Sequence, residues 1–315
     1  SVTYDDTNVE TGSVPVDSAN YIIDDTVVVK ANSGSIRRTG YTFDGWTVSA
    51  DGSGTVLNTG STLSVSTSDI TLYPKWSPVT YSLSYNLNGG SGDVSGAPAS
   101  WQTGSANVSL PTSGITKTGY TFDGWQELGS STKLNNSYQP NYQDTTLVAR
   151  WTIKSINYVF DEGAASGLTI TGWPTDSSAN FGTTITLPDL SGTTVTISSV
   201  SYVFFGWESG GTTYQSGDSY VLGDSAPTFT AEWARLFDVR YGFGGGVHAL
   251  AGDQDPECDT GALCVDGETI SLRTAPTRDG YTFDGWKVQD TSTVKNASAS
   301  HVVTAAGYLF YAQWT

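Results

Sequence analysis

The 315-residue chain is poor in the side chains on which catalysis and nucleic-acid binding depend. It has two histidines, two cysteines and no methionine, and its 14 basic residues are outnumbered by 31 acidic ones. The formal net charge is therefore −17. Because cationic patches supply most of the affinity for a phosphate backbone, no nucleic-acid partner is expected. An anionic membrane surface would repel the chain for the same reason.

Catalytic motifs are also missing. His248 and His301 have no neighbouring nucleophile motif, and the sequence contains no G-x-S-x-G, no HExxH and no phosphate-binding loop. Catalysis normally needs several different side chains brought together in one pocket. We therefore predict that the chain is not an enzyme and has no catalytic residues.

The sequence also lacks a long apolar run, a signal peptide and a sorting motif. It starts at Ser1 without an initiator methionine, which is typical of a processed piece of a longer polypeptide. We expect a segment that is monomeric within that polypeptide and does not insert into a membrane. The parts that would anchor it are expected elsewhere in the parent protein.

What the sequence does contain is a repeated aromatic motif. Gly40–Trp46 reads G-Y-T-F-D-G-W, and Gly119–Trp125 and Gly280–Trp286 repeat it letter for letter. A divergent copy ends at Trp207, so the four motif tryptophans are 79, 82 and 79 residues apart. A near-constant period of this size indicates tandem modules.

Strand patterns surround each motif in the same order. Each copy opens with an alternating apolar pattern, clearest at residues 79–87, and closes with a short apolar run that ends in tryptophan. Side chains two apart share one face of a strand, so these runs predict half-buried strands. The predicted modules, called repeats one to four, are residues 1–77, 78–152, 153–235 and 236–315.

This layout resembles the Listeria–Bacteroides repeat, a module of internalin B-repeats and of many large bacterial surface proteins. The resemblance covers essentially the whole chain, although in repeat three Phe205 replaces the motif aspartate. It implies small β-grasp-like (ubiquitin-like) domains. The expected fold is β-rich, with α+β possible, and consists of four tandem modules in an elongated array.

The motif has the composition of a small aromatic core. Tyr120 and Phe122 are two apart and share a face, and the following Asp-Gly pair predicts a β-bulge that turns Trp125 inward. A unit of roughly 75–80 residues is near the lower size limit for a stable core. Large rings, each burying about 150–250 Å², help to reach that limit. The predicted core aromatics are Tyr41, Phe43, Trp46, Trp76, Tyr120, Phe122, Trp125, Trp151, Phe204, Trp207, Trp233, Tyr281, Phe283, Trp286 and Trp314.

Two further tryptophans lie outside the motifs and the closing runs. Trp101 and Trp173 occur in Ser-, Gly- and Pro-rich connections, at places that match in repeats two and three. Aromatic rings stack on sugar faces, so both residues are candidates for ligand binding. The alternative interpretation is a lid over the edge of each module.

Repeat four carries both cysteines and the one acidic cluster of chemical interest. Cys258 and Cys264 can close a small disulfide loop in an oxidising compartment. Metal ligation by these cysteines is the competing interpretation, but no histidine pair accompanies them. Alternating carboxylates can converge on calcium, although a solvated acidic loop is the alternative. The candidate calcium ligands are Asp253, Asp255, Glu257 and Asp259; no other cofactor is expected.

Two functional hypotheses follow. In the first, the array is a non-catalytic extracellular stalk of a bacterial cell-surface adhesin, and it holds a tip domain away from the cell wall. In the second, the repeats themselves bind a host protein or a glycan. The uniform negative charge is compatible with an extracellular location in both cases.

Overall fold

The structure is a computed structural model that describes residues 1–66, 69–244, 263–265, 267–288, 291–304 and 308–315. These residues form a β-rich protein with 27 strands and one short 3-10 helix. No α-helix occurs in the described part, so the α+β alternative is wrong for it. Within the same ranges, no helix has the length and apolarity needed to cross a membrane.

The chain divides into two compact units, Ser1–Thr152 and Ile153–Thr315. The first unit contains repeats one and two. The strands of repeat one are β1 Val2–Tyr4, β2 Thr26–Val28, β3 Tyr41–Thr47, β4 Thr62–Ser64 and β5 Ile70–Pro78. The strands of repeat two are β6 Thr80–Asn86, β7 Ser91–Gly92, β8 Ser100–Gln102, β9 Val108–Ser109, β10 Ile115–Thr116, β11 Tyr120–Glu127, β12 Ser137–Tyr138 and β13 Thr145–Ile153.

The second unit contains repeats three and four. Repeat three has β14 Ser155–Asp161, the 3-10 helix Gly163–Ala165, β15 Ser177–Asn180, β16 Thr184–Thr186, β17 Thr194–Ile197, β18 Val200–Ser209, β19 Thr212–Tyr214, β20 Ser219–Val221 and β21 Thr228–Gly242. Strand β21 continues into repeat four, which adds β22 Leu263–Val265, β23 Thr269–Ser271, β24 Phe283–Val288, β25 Val294–Lys295, β26 Ser300–Val302 and β27 Tyr308–Trp314.

All four repeats share the order motif strand, closing strand, opening strand, and repeats two to four add an edge strand beside the opening strand. In repeat two the order is β11-β13-β6-β8, which corresponds to motif strand, closing strand, opening strand and edge strand. The opening strand runs parallel to the closing strand in every repeat, as β1–β5, β6–β13, β14–β21 and β21–β27. The motif strand pairs with the closing strand on its other side, antiparallel in repeats one, three and four. The first and last strands of each repeat are therefore direct hydrogen-bonded neighbours.

A second, smaller sheet accompanies each motif. The β-branched stretch before the motif pairs antiparallel with a short strand after it, as β2–β4, β9–β12, β16–β20 and β23–β26. Opposite the central apolar residue of each stretch stand Leu63, Tyr138, Tyr220 and His301. Since the same register occurs four times, these residues occupy equivalent positions.

The bulge expected from the motif is present in three strands. The pairing with the closing strand shifts by one residue between Phe43 and Gly45, and between Phe283 and Gly285. These glycines have φ angles of +145° and +140°, which side chains other than glycine rarely adopt. In repeat three the shift also occurs, before Gly206. There the residue that replaces aspartate, Phe205, is 53% exposed.

Strand β21 joins repeats three and four without a linker. Its first half pairs with β14 and β18 of repeat three, and its second half pairs with β22 and β27 of repeat four. The predicted boundary at residue 235 thus lies inside one 15-residue strand. A shared strand of this kind couples the two sheets directly, because bending at the boundary would break ladder hydrogen bonds on both sides.

Candidate functional site

The motif tryptophans lie at the centre of each repeat. Trp46, Trp125, Trp207 and Trp286 are at most 1% exposed, and each belongs to a separate hydrophobic cluster. The phenylalanine three residues earlier meets each ring edge-on at 5.0–5.6 Å between centroids. The closing tryptophans are partly buried on the same clusters and complete the aromatic set: Trp76, Trp151, Trp233 and Trp314.

The indole N–H groups of the motif tryptophans in repeats two to four are satisfied by backbone carbonyls. Trp125 Nε1 donates to Pro111 O at 2.7 Å, and Trp207 and Trp286 donate to the equivalent carbonyls of Pro188 and Arg273. In repeat one, Trp46 Nε1 and Trp76 Nε1 are buried and have no hydrogen-bond partner among the described residues. A buried, unsatisfied donor typically costs about 1–3 kcal/mol.

This difference between repeats predicts unequal effects of one substitution. Trp125→Phe removes a hydrogen bond and leaves the Pro111 carbonyl oxygen without its donor, whereas Trp46→Phe removes a donor that has no acceptor. We expect Trp46→Phe to cost about 1–3 kcal/mol less than Trp125→Phe in the free energy of unfolding. Urea unfolding of both variants, followed by repeat-resolved hydrogen exchange, measures the difference. Equal losses would mean that Trp46 Nε1 does find a partner in solution.

The motif tyrosines do not belong to the core, which corrects the sequence-based prediction for Tyr41, Tyr120 and Tyr281. Tyr41 and Tyr120 are half-buried and Tyr281 is 51% exposed. A cation three residues earlier lies over each ring: Arg38 over Tyr41 at 3.8 Å, Lys117 over Tyr120 at 4.6 Å and Arg278 over Tyr281 at 3.9 Å. The turn between cation and ring is closed by a backbone hydrogen bond in all three repeats.

The two tryptophans proposed as ligand contacts are neither equivalent nor alike in exposure. Trp101, on edge strand β8, stands opposite Tyr81 and is 4% exposed, so it offers no ring face to a ligand. The position that matches Trp101 in repeat three is Ala179, opposite Ile156, and in repeat four it is Cys264. The sequence-based prediction that Trp101 and Trp173 occupy matching positions in repeats two and three is therefore wrong.

Trp173 fits the alternative interpretation better. It is half-buried before β15 and its ring lies 5.5 Å from that of Trp207, so it covers the core of repeat three. Trp101 is held inside repeat two by its own contacts, since its Nε1 donates to Ala106 O at 3.1 Å. Both rings thus contribute to packing, and only Trp173 retains an exposed part.

The predicted disulfide and calcium site fall largely outside the described residues. Cys258, Asp253, Asp255, Glu257 and Asp259 lie there, as does His248. Cys264 is described and is completely buried in the cluster of repeat four. The Cys258–Cys264 disulfide and calcium binding remain predictions.

His301 occupies the position of Tyr138 and Tyr220 in a small sheet. Its ring meets Phe310 edge-on at 5.0 Å, much as Tyr220 meets Phe229 at 4.9 Å. Burial lowers the pKa of His301 from its ordinary value of 6.5, and the nearby Lys295 charge lowers it further. The neutral imidazole is therefore the form that the fold favours.

A pH dependence of repeat four follows from that direction. Between the lowered folded-state pKa and about 6.5, the unfolded chain binds more protons at His301 than the folded chain does. Stability is therefore complete above about pH 6.5 and falls as the pH decreases through this window. We expect the melting temperature of repeat four to be a few degrees lower at pH 5 than at pH 7.5. In His301→Tyr, which copies repeats two and three, this decrease should disappear; an unchanged decrease would assign it to other groups.

A groove lies in repeat one, beside the motif turn. It encloses about 480 Å³ and is lined by Glu10, Arg37, Arg38, Tyr41, Phe43 and Trp76 among others. A smaller cavity of about 120 Å³ shares Arg38 and Trp76 with it and extends to Asp51. The groove forms because a loop from β1 pairs with the segment before the motif, where Thr11 and Arg37 exchange backbone hydrogen bonds.

Charge is distributed unevenly around this groove. Arg37 is exposed, Arg38 is stacked on Tyr41, and neither guanidinium makes an ion pair within 4 Å in the described part of the chain. Thr39 donates to the Glu10 carboxylate through its N–H at 2.9 Å and through its hydroxyl. These hydrogen bonds lower the pKa of Glu10, and the Arg38 charge lowers it further. The groove was not predicted from the sequence. The signal that could have pointed to it is the basic residue three positions before the tyrosine of each intact motif.

Comparison with known proteins identifies the repeat. The model of the Listeria-Bacteroides repeat domain matches residues 1–75, 81–150 and 252–313, which is more than half of the chain. The chain is 26% identical over 290 residues to a candidate Gly-rich membrane protein of Evansella cellulosilytica, covering 90% of this chain and 30% of that protein. A second candidate membrane protein of the same organism is 27% identical over 228 residues, covering 71% and 31%.

The chain therefore spans less than a third of the length of these curated relatives. Among solved structures, domains 3-4 of the Streptococcal High Identity Repeats in Tandem of a cell surface protein are 15% identical. That match covers 50% of this chain and 96% of the other, with a TM-score of 0.18.

Proposed function

Because the chain belongs to the Listeria-Bacteroides repeat family, we propose that it is a non-catalytic, load-bearing spacer of a bacterial cell-surface adhesin. In this proposal four β-grasp-like modules form an elongated array that projects a tip domain from the cell. The relatives described as membrane proteins of a bacterium support the surface location. The strand order of edge, opening, closing and motif strand, repeated in repeats two to four, supports the β-grasp-like modules.

The observation that carries the proposal is the parallel pairing of the first and last strand in every repeat. The beginning of the opening strand and the end of the closing strand point to opposite ends of such a pair. A force that pulls the two ends of the chain apart therefore shears the pair along its length. Several hydrogen bonds must then fail together, whereas a hairpin pulled from one end would lose them one at a time.

The junctions support transmission of that load. In the first unit, only Val79 separates β5 from β6. Its N–H donates to Gly40 O of repeat one at 2.9 Å, and its carbonyl accepts from Thr103 N of repeat two at 3.0 Å. In the second unit, β21 is itself the junction. A junction held by backbone hydrogen bonds on both sides limits bending between neighbouring repeats.

Single-molecule pulling of the full chain through its two ends tests the proposal. We expect discrete force peaks, each of which releases roughly 250 Å, since about 75 residues extend by 3.3–3.6 Å each. Ser84→Ala removes the 2.9 Å contact between the Ser84 and Thr146 hydroxyls across the opening and closing strands and should lower the peak of repeat two. Ser91→Ala, whose hydroxyl lies 3.4 Å from that of Thr116 outside this strand pair, is the matched control. Smooth extension without peaks would rule out a load-bearing role.

The elongated arrangement is tested separately by small-angle scattering. A compact module of this size has a diameter of roughly 30 Å, from a radius of gyration near 11–12 Å. Four modules end to end would give a maximum dimension of about 120 Å. A value much below about 80 Å would contradict an extended spacer, even if the individual modules resist force.

A further inference from the structure

We propose that the groove of repeat one binds an anionic saccharide, that is, a sugar ring that carries a carboxylate or a sulfate. This inference does not depend on the spacer role. The groove volume of about 480 Å³ lies within the 300–1,000 Å³ typical of small-ligand pockets. Two guanidinium groups supply the charge, and Tyr41, Phe43 and Trp76 supply aromatic surface in the same groove.

The arginines are prepared for an oxyanion. Arg38 lies 3.8 Å above the Tyr41 ring, and stacking of this kind holds the planar guanidinium in place without using its N–H donors. Those donors match the two oxygens of a carboxylate or the edge of a sulfate. Arg37 is adjacent in sequence, lines the same groove and is exposed. Neither side chain is neutralised by an acidic partner within 4 Å among the described residues.

Repeat two shows what the same turn looks like when the cation has a structural task. Lys117 takes the place of Arg38, and its Nζ donates to Asn88 O at 3.0 Å, so part of its hydrogen-bonding capacity is used inside the repeat. The residue before it is Thr116 instead of a second arginine. The paired cations are thus particular to repeat one, although the stack of cation on motif tyrosine is not.

The other groups at the groove favour a saccharide over an acidic peptide. Glu10 lines the groove and Asp51 lines the adjoining cavity; both carboxylates have lowered pKa values, so both remain ionised acceptors at neutral pH. They would repel a chain of carboxylates, but they can accept hydrogen bonds from sugar hydroxyls. Thr11, Thr39 and Thr42 add hydroxyl groups around the aromatic surface. A ligand with one anionic group and several hydroxyls can pair its anionic group with the arginines and its hydroxyls with the carboxylates.

The net charge of −17 does not prevent binding of an anion at this place. At an ionic strength of 0.1 M, charges separated by more than about 10 Å are largely screened. The charged residues that line the groove itself are Arg37, Arg38 and Glu10, which together carry a formal charge of +1. An anionic ligand should bind more weakly as salt increases, because the guanidinium groups are accessible to solvent.

Titration of the full chain, followed by amide NMR chemical shifts, tests the proposal. The probes are glucuronate and N-acetylglucosamine 6-sulfate, with N-acetylglucosamine and inorganic sulfate as controls. We expect saturable shifts in the segments around residues 10, 38 and 76 with one or both anionic sugars; the stronger of the two identifies carboxylate or sulfate as the preferred group. The double variant Arg37→Gln/Arg38→Gln should lose at least about tenfold in affinity, whereas Lys117→Gln should bind like the parent chain.

Circular dichroism of each variant shows whether a loss of affinity is caused by a loss of folding. If the double variant is unstable, the single variant Arg37→Gln, which leaves the stack of Arg38 on Tyr41 intact, gives a second measurement. Four results would overturn the proposal: no saturable shift, equal binding of the neutral sugar, equal binding of bare sulfate, or an equal loss in Lys117→Gln. Tighter binding of a hexaglutamate peptide than of either sugar would also overturn it and assign the groove to a protein ligand.

Discussion

Replacing Trp125 by alanine should lower the free energy of unfolding of repeat two by about 3–5 kcal/mol, the usual cost of removing a buried tryptophan. The ring is 1% exposed and is enclosed edge-on by Phe122 at 5.6 Å and Tyr85 at 5.2 Å. Alanine would also leave the Pro111 carbonyl oxygen without the indole donor. A module of roughly 75 residues has only a small margin of stability, so repeat two should unfold near room temperature.

Leu128→Ala is the matched control, because Leu128 directly follows the same strand and is 68% exposed. It should change stability by no more than about 0.5 kcal/mol. Hydrogen exchange resolved by repeat distinguishes loss of repeat two from a general effect on the chain. If Trp125→Ala leaves exchange in repeat two unchanged, the ring is not a core residue in solution, and a contact role for it would have to be considered.

Sequence reasoning predicted the strands and the aromatic centres because these depend on local alternation and on composition. The motif phenylalanine and tryptophan could be placed in the core from side-chain period and size alone. The motif tyrosine could not, because its surroundings depend on which residue of the closing strand it meets: Tyr41 pairs with Pro78, two residues beyond Trp76. Phe43 pairs with Trp76 and packs on the core, whereas Tyr41 lies at the end of the strand pairing and has Arg38 over its ring.

Positions that depend on pairing between distant segments of the chain also could not be predicted from the sequence. The register of β8 on β6 places Trp101 in the core, while Trp173 lies outside the equivalent strand β15. Nothing in the length or composition of the two connections shows this difference. The groove of repeat one likewise depends on a loop after β1 that pairs with residues near Arg37. Repeat two has the equivalent pairing, between β7 and β10, but there Thr116 stands where repeat one has Arg37.

The motif aspartate makes different local contacts in different repeats. In repeats one and four it accepts a hydrogen bond from the residue after the closing tryptophan, Ser77 or Thr315. In repeat two, Asp123 instead binds Lys133 at 2.7 Å and Arg150 at 3.2 Å. In both arrangements the aspartate links the bulge to a neighbouring segment of the chain. Repeat three, with the exposed Phe205 at this position, therefore lacks this link but does not lack a core residue.

Gly40→Ala should destabilise the chain by about 2–5 kcal/mol, which is more than the same change costs at the equivalent glycine of repeat four. Both glycines have a φ angle of +78°, so alanine carries the same strain of about 1–2 kcal/mol at each position. A Cβ atom at Gly40 would lie 2.6 Å from Tyr142 Cδ1 and 2.7 Å from Thr103 Oγ1, both of repeat two. A Cβ atom at Gly280 would meet nothing within 4 Å.

The difference between the two variants therefore isolates the contact between repeats one and two, since relief of the overlap costs about a further 1–3 kcal/mol. Thr103 is 7% exposed and its neighbours are fixed by the hydrogen bond from Thr103 N to Val79 O, so it cannot move without disturbing the junction. Thermal unfolding gives the total loss, and hydrogen exchange at Val79 and Thr103 reports the junction itself. Gly40→Ala should raise exchange at both amides, whereas Gly280→Ala should leave them unchanged. Equal losses of stability in the two variants, with both junction amides still protected, would mean that repeats one and two are not in tight contact at Gly40. The stiffness required of a spacer would then have to come from the strand ladders alone.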